Sequence, residues 1–135
     1  MSKRELAMAI HGEGYNCAQS VLLAFCEDFG LSKEDAAKIS LPFGSGMGQM
    51  RETCGALTGA FMVLGLAESQ FENITPQIKA DCYAKVRLLA EEFQKENGSM
   101  LCRDLLAFAQ ANNKKKNCRE LVGYTAELLE NFLNK

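Results

Sequence analysis

Thr53-Cys54-Gly55-Ala56-Leu57-Thr58-Gly59-Ala60-Phe61-Met62-Val63-Leu64-Gly65-Leu66-Ala67-Glu68-Ser69 is the stretch on which the fold turns. It carries no charge before Glu68 and is apolar nearly all round, rather than along one stripe. Such a pattern reads as a helix buried on every side, the hub on which other helices pack. Gly55 and Gly59 stand four apart, on one face. A glycine inside a helix costs about 1 kcal/mol against alanine, so two in one turn call for compensation. Close approach of a neighbouring helix, or of a bound group, would supply it.

Working outward, capping residues and glycines divide the chain into about seven helical segments, with no convincing strand. The first runs from Ser2, with Glu5 completing a capping box, to Gly12. The second starts at Asn16 and spaces Ala18, Val21, Leu22, Phe25 and Phe29 helically before Gly30. The third begins at Ser32, with Asp35 three residues on, and ends ahead of Pro42. Phe43 to Gly48 reads as a loop too glycine-rich to be regular structure.

Beyond the central helix, Thr75-Pro76 supplies a cap followed by proline at the first helical position. Ile78, Cys82, Val86, Leu89 and Phe93 form the inner face of that segment, and Gly98 ends it. A sixth segment runs from Ser99 to about Ala111. The last starts at Asn117, with Glu120 three on and Leu121, Val122, Thr125, Leu128, Leu129 and Phe132 as its packing stripe. With no repeat and no long linker, the expectation for residues 1–135 is all-α. It is a single-domain bundle of about six to seven helices around a buried central helix.

The chain has 135 residues, 47% hydrophobic and 24% charged, which suits one globular domain and argues against disorder. A formal net charge of −2 gives no basic footprint, so no nucleic acid partner is expected. Lys114-Lys115-Lys116, beside Asn112, Asn113 and Asn117, reads as a solvated loop. The N-terminal residues lack the apolar run of a secretory signal. The uncharged stretch from Thr53 to Ala67 is shorter than the roughly 20 residues needed to cross a bilayer. No membrane insertion is expected, and a cytoplasmic location follows, where ordinary thiols stay reduced. There, six cysteines point to metal ligation or redox chemistry rather than a disulfide scaffold.

The cysteines fall into two classes. Cys17 follows the cap Asn16, Cys54 follows Thr53, Cys118 follows Asn117, and Cys102 comes three residues after Ser99. All four are expected in the first turn of a helix. Unpaired N–H groups and about half a positive charge there favour thiolate over thiol. Thiolate is the form that ligates metals and attacks disulfides. Four such positions from four helices suggest one convergent site. Cys26, in line with Leu22 and Phe29, and Cys82, between Ile78 and Val86, sit at core-face spacing and read as small hydrophobes.

Cys54-Gly55-Ala56-Leu57-Thr58-Gly59, preceded by Gly44-Ser45-Gly46-Met47-Gly48, resembles the motif of the C_GCAxxG_C_C family of redox-active proteins. The likeness extends from Tyr15-Asn16-Cys17-Ala18 through Cys102-Arg103-Asp104-Leu105-Leu106 to Cys118. Matched residue by residue, the family cysteines fall on Cys17, Cys54, Cys102 and Cys118, and the motif glycines on Gly55 and Gly59. Cys26 and Cys82 lie outside the pattern. The resemblance implies an accessory to an oxidoreductase or a transporter.

Two classes of function remain open on the residues. In the first, the four cysteines do redox work, by dithiol–disulfide exchange or by holding an iron–sulfur cluster. In the second they form a non-catalytic metal site, four thiolates closing around zinc, or the protein is a structural or interaction module. Met47, Met50 and Met100 could add soft sulfur for copper, although methionine more often fills packing gaps. Gly46 and Gly48, with Gly55 and Gly59, are expected to let backbone approach the site closely. The glycine loop lacks the Lys-Ser/Thr ending of a phosphate-binding loop and follows no strand. His11, the only histidine, ends the first helix, where a cationic imidazole is favourable. Nothing places a Ser/His/Asp set, so hydrolase chemistry is not supported. The acidic pairs Glu27-Asp28, Glu34-Asp35 and Glu91-Glu92 read as solvated faces, and the apolar stripes make a homodimer plausible.

Overall fold

The computed structural model describes residues 1–71, 73–111 and 115–134. Seven α-helices of eight residues or more occur among them, and no strand. They are α1 (Lys3–Gly12), α2 (Cys17–Phe25), α3 (Lys33–Ser40), α4 (Gly55–Glu68), α5 (Pro76–Asn97), α6 (Cys102–Ala111) and α7 (Cys118–Leu133). No helix among the described residues is long and apolar enough to cross a membrane.

Most helix starts are set by the side chains that stand there. Ser2, Asn16, Ser32, Thr75 and Asn117 each accept from a backbone N–H three residues on. Asn16 and Asn117 complete reciprocal capping boxes with Gln19 and Glu120. Gly30 and Gly98, both left-handed, close the helical stretches before them.

One contiguous apolar core joins α1, α2, α4, α5 and α7. Leu22, Leu57, Leu64, Leu89, Phe93, Val122 and Leu129 are essentially sealed from solvent, each such burial contributing about 1.5–3 kcal/mol. The expected central helix α4 is fully buried from Gly55 to Ala60, while Phe61, Met62 and Leu66 beyond are half-buried. It shares the centre with α2, where every residue from Ala18 to Phe25 is buried. The polar members of α2 are satisfied: Ser20 donates to the Asn16 carbonyl, and Gln19 donates to that of Ala37.

The α2–α4 crossing explains the paired glycines. A Cβ at Gly59 would lie 2.6 Å from the Ala18 carbonyl oxygen, and one at Gly55 would lie 3.2 Å from Cys17 Cβ. The compensating neighbour is therefore a helix. That close approach sets the N-terminus of α2 beside that of α4.

Four readings of the sequence need correction. Cys26 is fully buried, as expected, but stands at the end of α2, where a 3₁₀ turn over Cys26–Phe29 begins. Cys82 is half-buried against the core rather than within it. The segment expected to start at Ser99 becomes α6 only at Cys102. The Ser99 hydroxyl accepts from Leu101 N–H and donates to Asp104, and so caps a local turn first. Asn112, Asn113 and Lys114 of the expected loop lie outside the described residues. Lys116, its last lysine, is not freely solvated: it pairs with Glu96 at 3.3 Å and lies 5.0 Å from the Tyr124 ring centre.

Candidate functional site

Four helix starts converge on one cavity. Cys17 and Cys118 open α2 and α7, each directly after its asparagine cap. Cys102 is the first residue of α6. Cys54 is the cap of α4 itself, one position earlier than expected, because Thr53 is engaged elsewhere. Thr53 forms an isolated antiparallel bridge with Leu101. Cys54 N–H donates to the Met100 carbonyl at 2.8 Å, and Cys102 N–H donates to that of Glu52 at 2.6 Å. Two residue pairs of extended backbone thus hold Cys54 and Cys102 side by side, although 48 positions separate them.

The segment before this bridge is a left-handed turn. Ser45, Gly46, Met47, Gly48 and Gln49 have φ of 55°, 71°, 69°, 65° and 68° in succession, and Arg51 follows at 59°. The turn is closed by Gly48 N–H to the Gly44 carbonyl at 2.9 Å and Glu52 N–H to that of Gly46 at 3.0 Å. The expectation of an irregular loop is corrected: the backbone is regular but of the opposite hand. Ser45, Met47, Gln49 and Arg51 each carry a Cβ in this region, at about 1–2 kcal/mol per residue. Strain of this kind persists where surrounding structure over-determines it. Here that structure is the bridge to residues 100–103. Gly46 is pressed against the site, since a Cβ there would lie 2.6 Å from Cys102 Cβ.

The cavity measures about 570 Å³, within the range of small-molecule sites. Cys17, Cys54, Cys102 and Cys118 all line it. Cys54 and Cys102 are buried, and Cys17 and Cys118 half-buried. Gly55 also lines it, whereas Gly59 faces the Ala18 backbone and Gly48 serves the left-handed turn. Leu105, Leu106, Ala109 and Leu121 make an apolar wall.

The thiols are not electrostatically alike, against the expectation that all four helix starts favour thiolate. Cys17 and Cys118 both line the cavity and titrate as a pair. The neighbouring Cys17 thiol, with the Arg51 charge, pulls Cys118 down to about 6 from an ordinary 9.0, against the opposing effect of burial. The same pairing holds the proton on Cys17 and raises it, reinforced by burial and by the other three sulfurs. Burial pushes Cys54 up to about 11, outweighing the N–H groups of Ala56 and Leu57 that face it. Burial also raises Cys26 and Cys82. One thiolate, on Cys118, thus stands with the protonated thiols of Cys17 and Cys54.

Sequence reading gave His11 little weight as a ligand or base and passed over the arginines here. His11 Nε2 lies 3.9 Å from Cys17 Sγ. Burial and the Arg119 charge lower its pKa, so the ring is neutral near pH 7, not the cation expected at a helix end. Arg51 Nη1 lies 3.7 Å from Cys102 Sγ, and Lys116 and Arg119 also border the cavity. The one local signal was adjacency: Arg119 follows Cys118.

Among the described residues no three His, Cys, Asp or Glu side chains are grouped so as to hold a metal ion. The donors therefore do not fit a closed single-ion zinc or copper site, whose four ligands lie within about 2.0–2.3 Å of the metal. Met47, Met50 and Met100 do not line the cavity. Four cysteine sulfurs lining one cavity are the kind of donor set that an iron–sulfur centre takes.

A model of the family described as "Putative redox-active protein (C_GCAxxG_C_C)" matches residues 15–132. No curated protein and no solved structure was found to match the chain.

Proposed function

The chain belongs to the C_GCAxxG_C_C family of redox-active proteins, and on that premise we propose that it exchanges dithiol for disulfide at Cys118 and Cys17. The observation that supports this reading is that Cys17 and Cys118 line one cavity, with His11 Nε2 3.9 Å from Cys17 Sγ, and that their pairing lowers Cys118 and raises Cys17. It separates an attacking thiolate from a thiol held in reserve.

Cys118 thiolate attacks one sulfur of a substrate R–S–S–R′. A Cys118–S–S–R bond forms, the substrate bond breaks, and R′–S⁻ leaves to take a proton from water. Cys118 then carries no negative charge, so the charge that helped keep the proton on Cys17 is gone. Neutral His11, 3.9 Å away, accepts that proton. Cys17 attacks Cys118 Sγ, the mixed bond breaks, and R–S⁻ leaves to be protonated in turn. Two electrons pass to the substrate, and a Cys17–Cys118 disulfide remains. Run backward, the same steps oxidise a dithiol.

The test is a Cys17→Ser variant treated with a small disulfide reagent and digested for peptide mass spectrometry. A mixed disulfide should accumulate on Cys118, while the unmodified chain proceeds to an internal disulfide. Adducts elsewhere, or none, would refute the assignment.

A second reading rests on the fit of the four sulfurs to a polynuclear centre. Cys17, Cys54, Cys102 and Cys118 would hold an iron–sulfur cluster, which would supply one-electron transfer. Iron content and visible absorption after anaerobic purification decide between the two. Colourless, iron-free protein that reversibly titrates two thiols removes the cluster reading.

A further inference from the structure

The thiol cavity carries formal charge of one sign only among the described residues. Arg51, Lys116 and Arg119 line it, and no carboxylate does among the described residues, in a chain of net charge −2. Lys116 is held by Glu96 at 3.3 Å. Neither guanidinium has a carboxylate within ion-pair distance among the described residues. Leu105 and Leu106 add hydrocarbon to the same lining.

A concavity lined by one sign of charge concentrates ligands of the other sign and raises their association rates by 10-fold or more. Guanidinium suits carboxylate in particular, through its planar pair of donors. We infer that the cavity selects a small disulfide whose halves carry carboxylates. Arg51 and Arg119 receive those groups, and the leucine wall takes the hydrocarbon between them. The inference rests on the exchange reading above and names its substrate class. The electron balance is that of the steps already given, and the same cations stabilise the departing thiolates.

Charge can be varied while the reacting bond stays the same. Reduced protein is mixed in turn with oxidised glutathione (anionic), bis(2-hydroxyethyl) disulfide (neutral) and cystamine (cationic). Loss of Cys17 and Cys118 thiols is followed by mass spectrometry. Each rate is divided by that of dithiothreitol with the same disulfide, which removes differences in leaving group. The anionic disulfide should lead the neutral one by about 10-fold at low salt, with the cationic one slowest. Raising ionic strength should compress the series. Arg119→Gln should lower the anionic-to-neutral ratio several-fold, and Arg51→Gln should do the same. Equal normalised rates, or a lead for cystamine, overturn the inference and leave the exchange reading standing. If none of the three oxidises the Cys17–Cys118 pair, it is the exchange reading that fails.

Discussion

Alkylation of Cys118 by iodoacetamide, followed across pH by peptide mass spectrometry, tests the electrostatics of the site. With a pKa of about 6 rather than 9.0, its thiol is about 90% ionised at pH 7, where an ordinary thiol is about 1% ionised. A less basic sulfur is also a weaker nucleophile, by roughly 20-fold for this displacement at a Brønsted coefficient of about 0.45. Together these make Cys118 about 4-fold faster than an unperturbed thiol at pH 7 and about 30-fold faster at pH 5.5. At pH 10 it becomes about 20-fold slower, because both thiols are then ionised. The signature is a crossing between pH 7 and 8, with Cys118 at half its plateau rate near pH 6. A rate still climbing tenfold per pH unit through pH 8 would refute the reasoning, since the sulfur would then not be ionised beforehand.

Other perturbations follow from the same contacts. Cys17→Ala should move the Cys118 profile to higher pH, and further than Arg51→Gln does, because the Cys17 thiol outweighs the guanidinium charge; the reverse order in alkylation profiles would contradict the pairing. Gly59→Ala, whose Cβ would meet Ala18 oxygen at 2.6 Å, should destabilise by about 1–3 kcal/mol after its gain in helix propensity. Gly65→Ala on the same helix meets nothing within 4 Å and should stabilise by about 0.5–1 kcal/mol; urea midpoints of the two variants should shift in opposite directions. Cys54 is raised to about 11, so its contribution is complete below the unfolded value near 9 and is lost as pH rises through 11. Replacing Cys54 with alanine should therefore flatten the stability profile between pH 9 and 11, as measured by denaturant titration.

What could be read from the sequence was what is local. Asn16 and Asn117 cap helices through side chains that reach three residues ahead, so the positions of Cys17 and Cys118 were legible without any tertiary information. Gly59 was legible as a place of close approach, although only the structure shows α2 filling it. The left-handed turn was not legible. Gly46 and Gly48 permit it, but Met47, Gln49 and Arg51 are held there by pairing between residues 51–54 and 100–103, far apart in the chain. The start of α6 was misplaced for a related reason, since Ser99 satisfies a turn before the helix begins. His11, Arg51 and Arg119 carry no motif, and their relevance comes from the three-dimensional meeting of separate elements. The helix-end argument for thiolates overlooked desolvation, which dominates at Cys54.

Cys17 lies near one end of the chain and Cys118 near the other. Joining them would close about 100 residues into a single ring, which in the chain-entropy account removes about 4.7 kcal/mol of disorder from the denatured ensemble. That is comparable with the whole stability margin of many domains. The choice of these two sulfurs would thus make oxidation state a determinant of lifetime: the cross-linked chain would open less often than the reduced one.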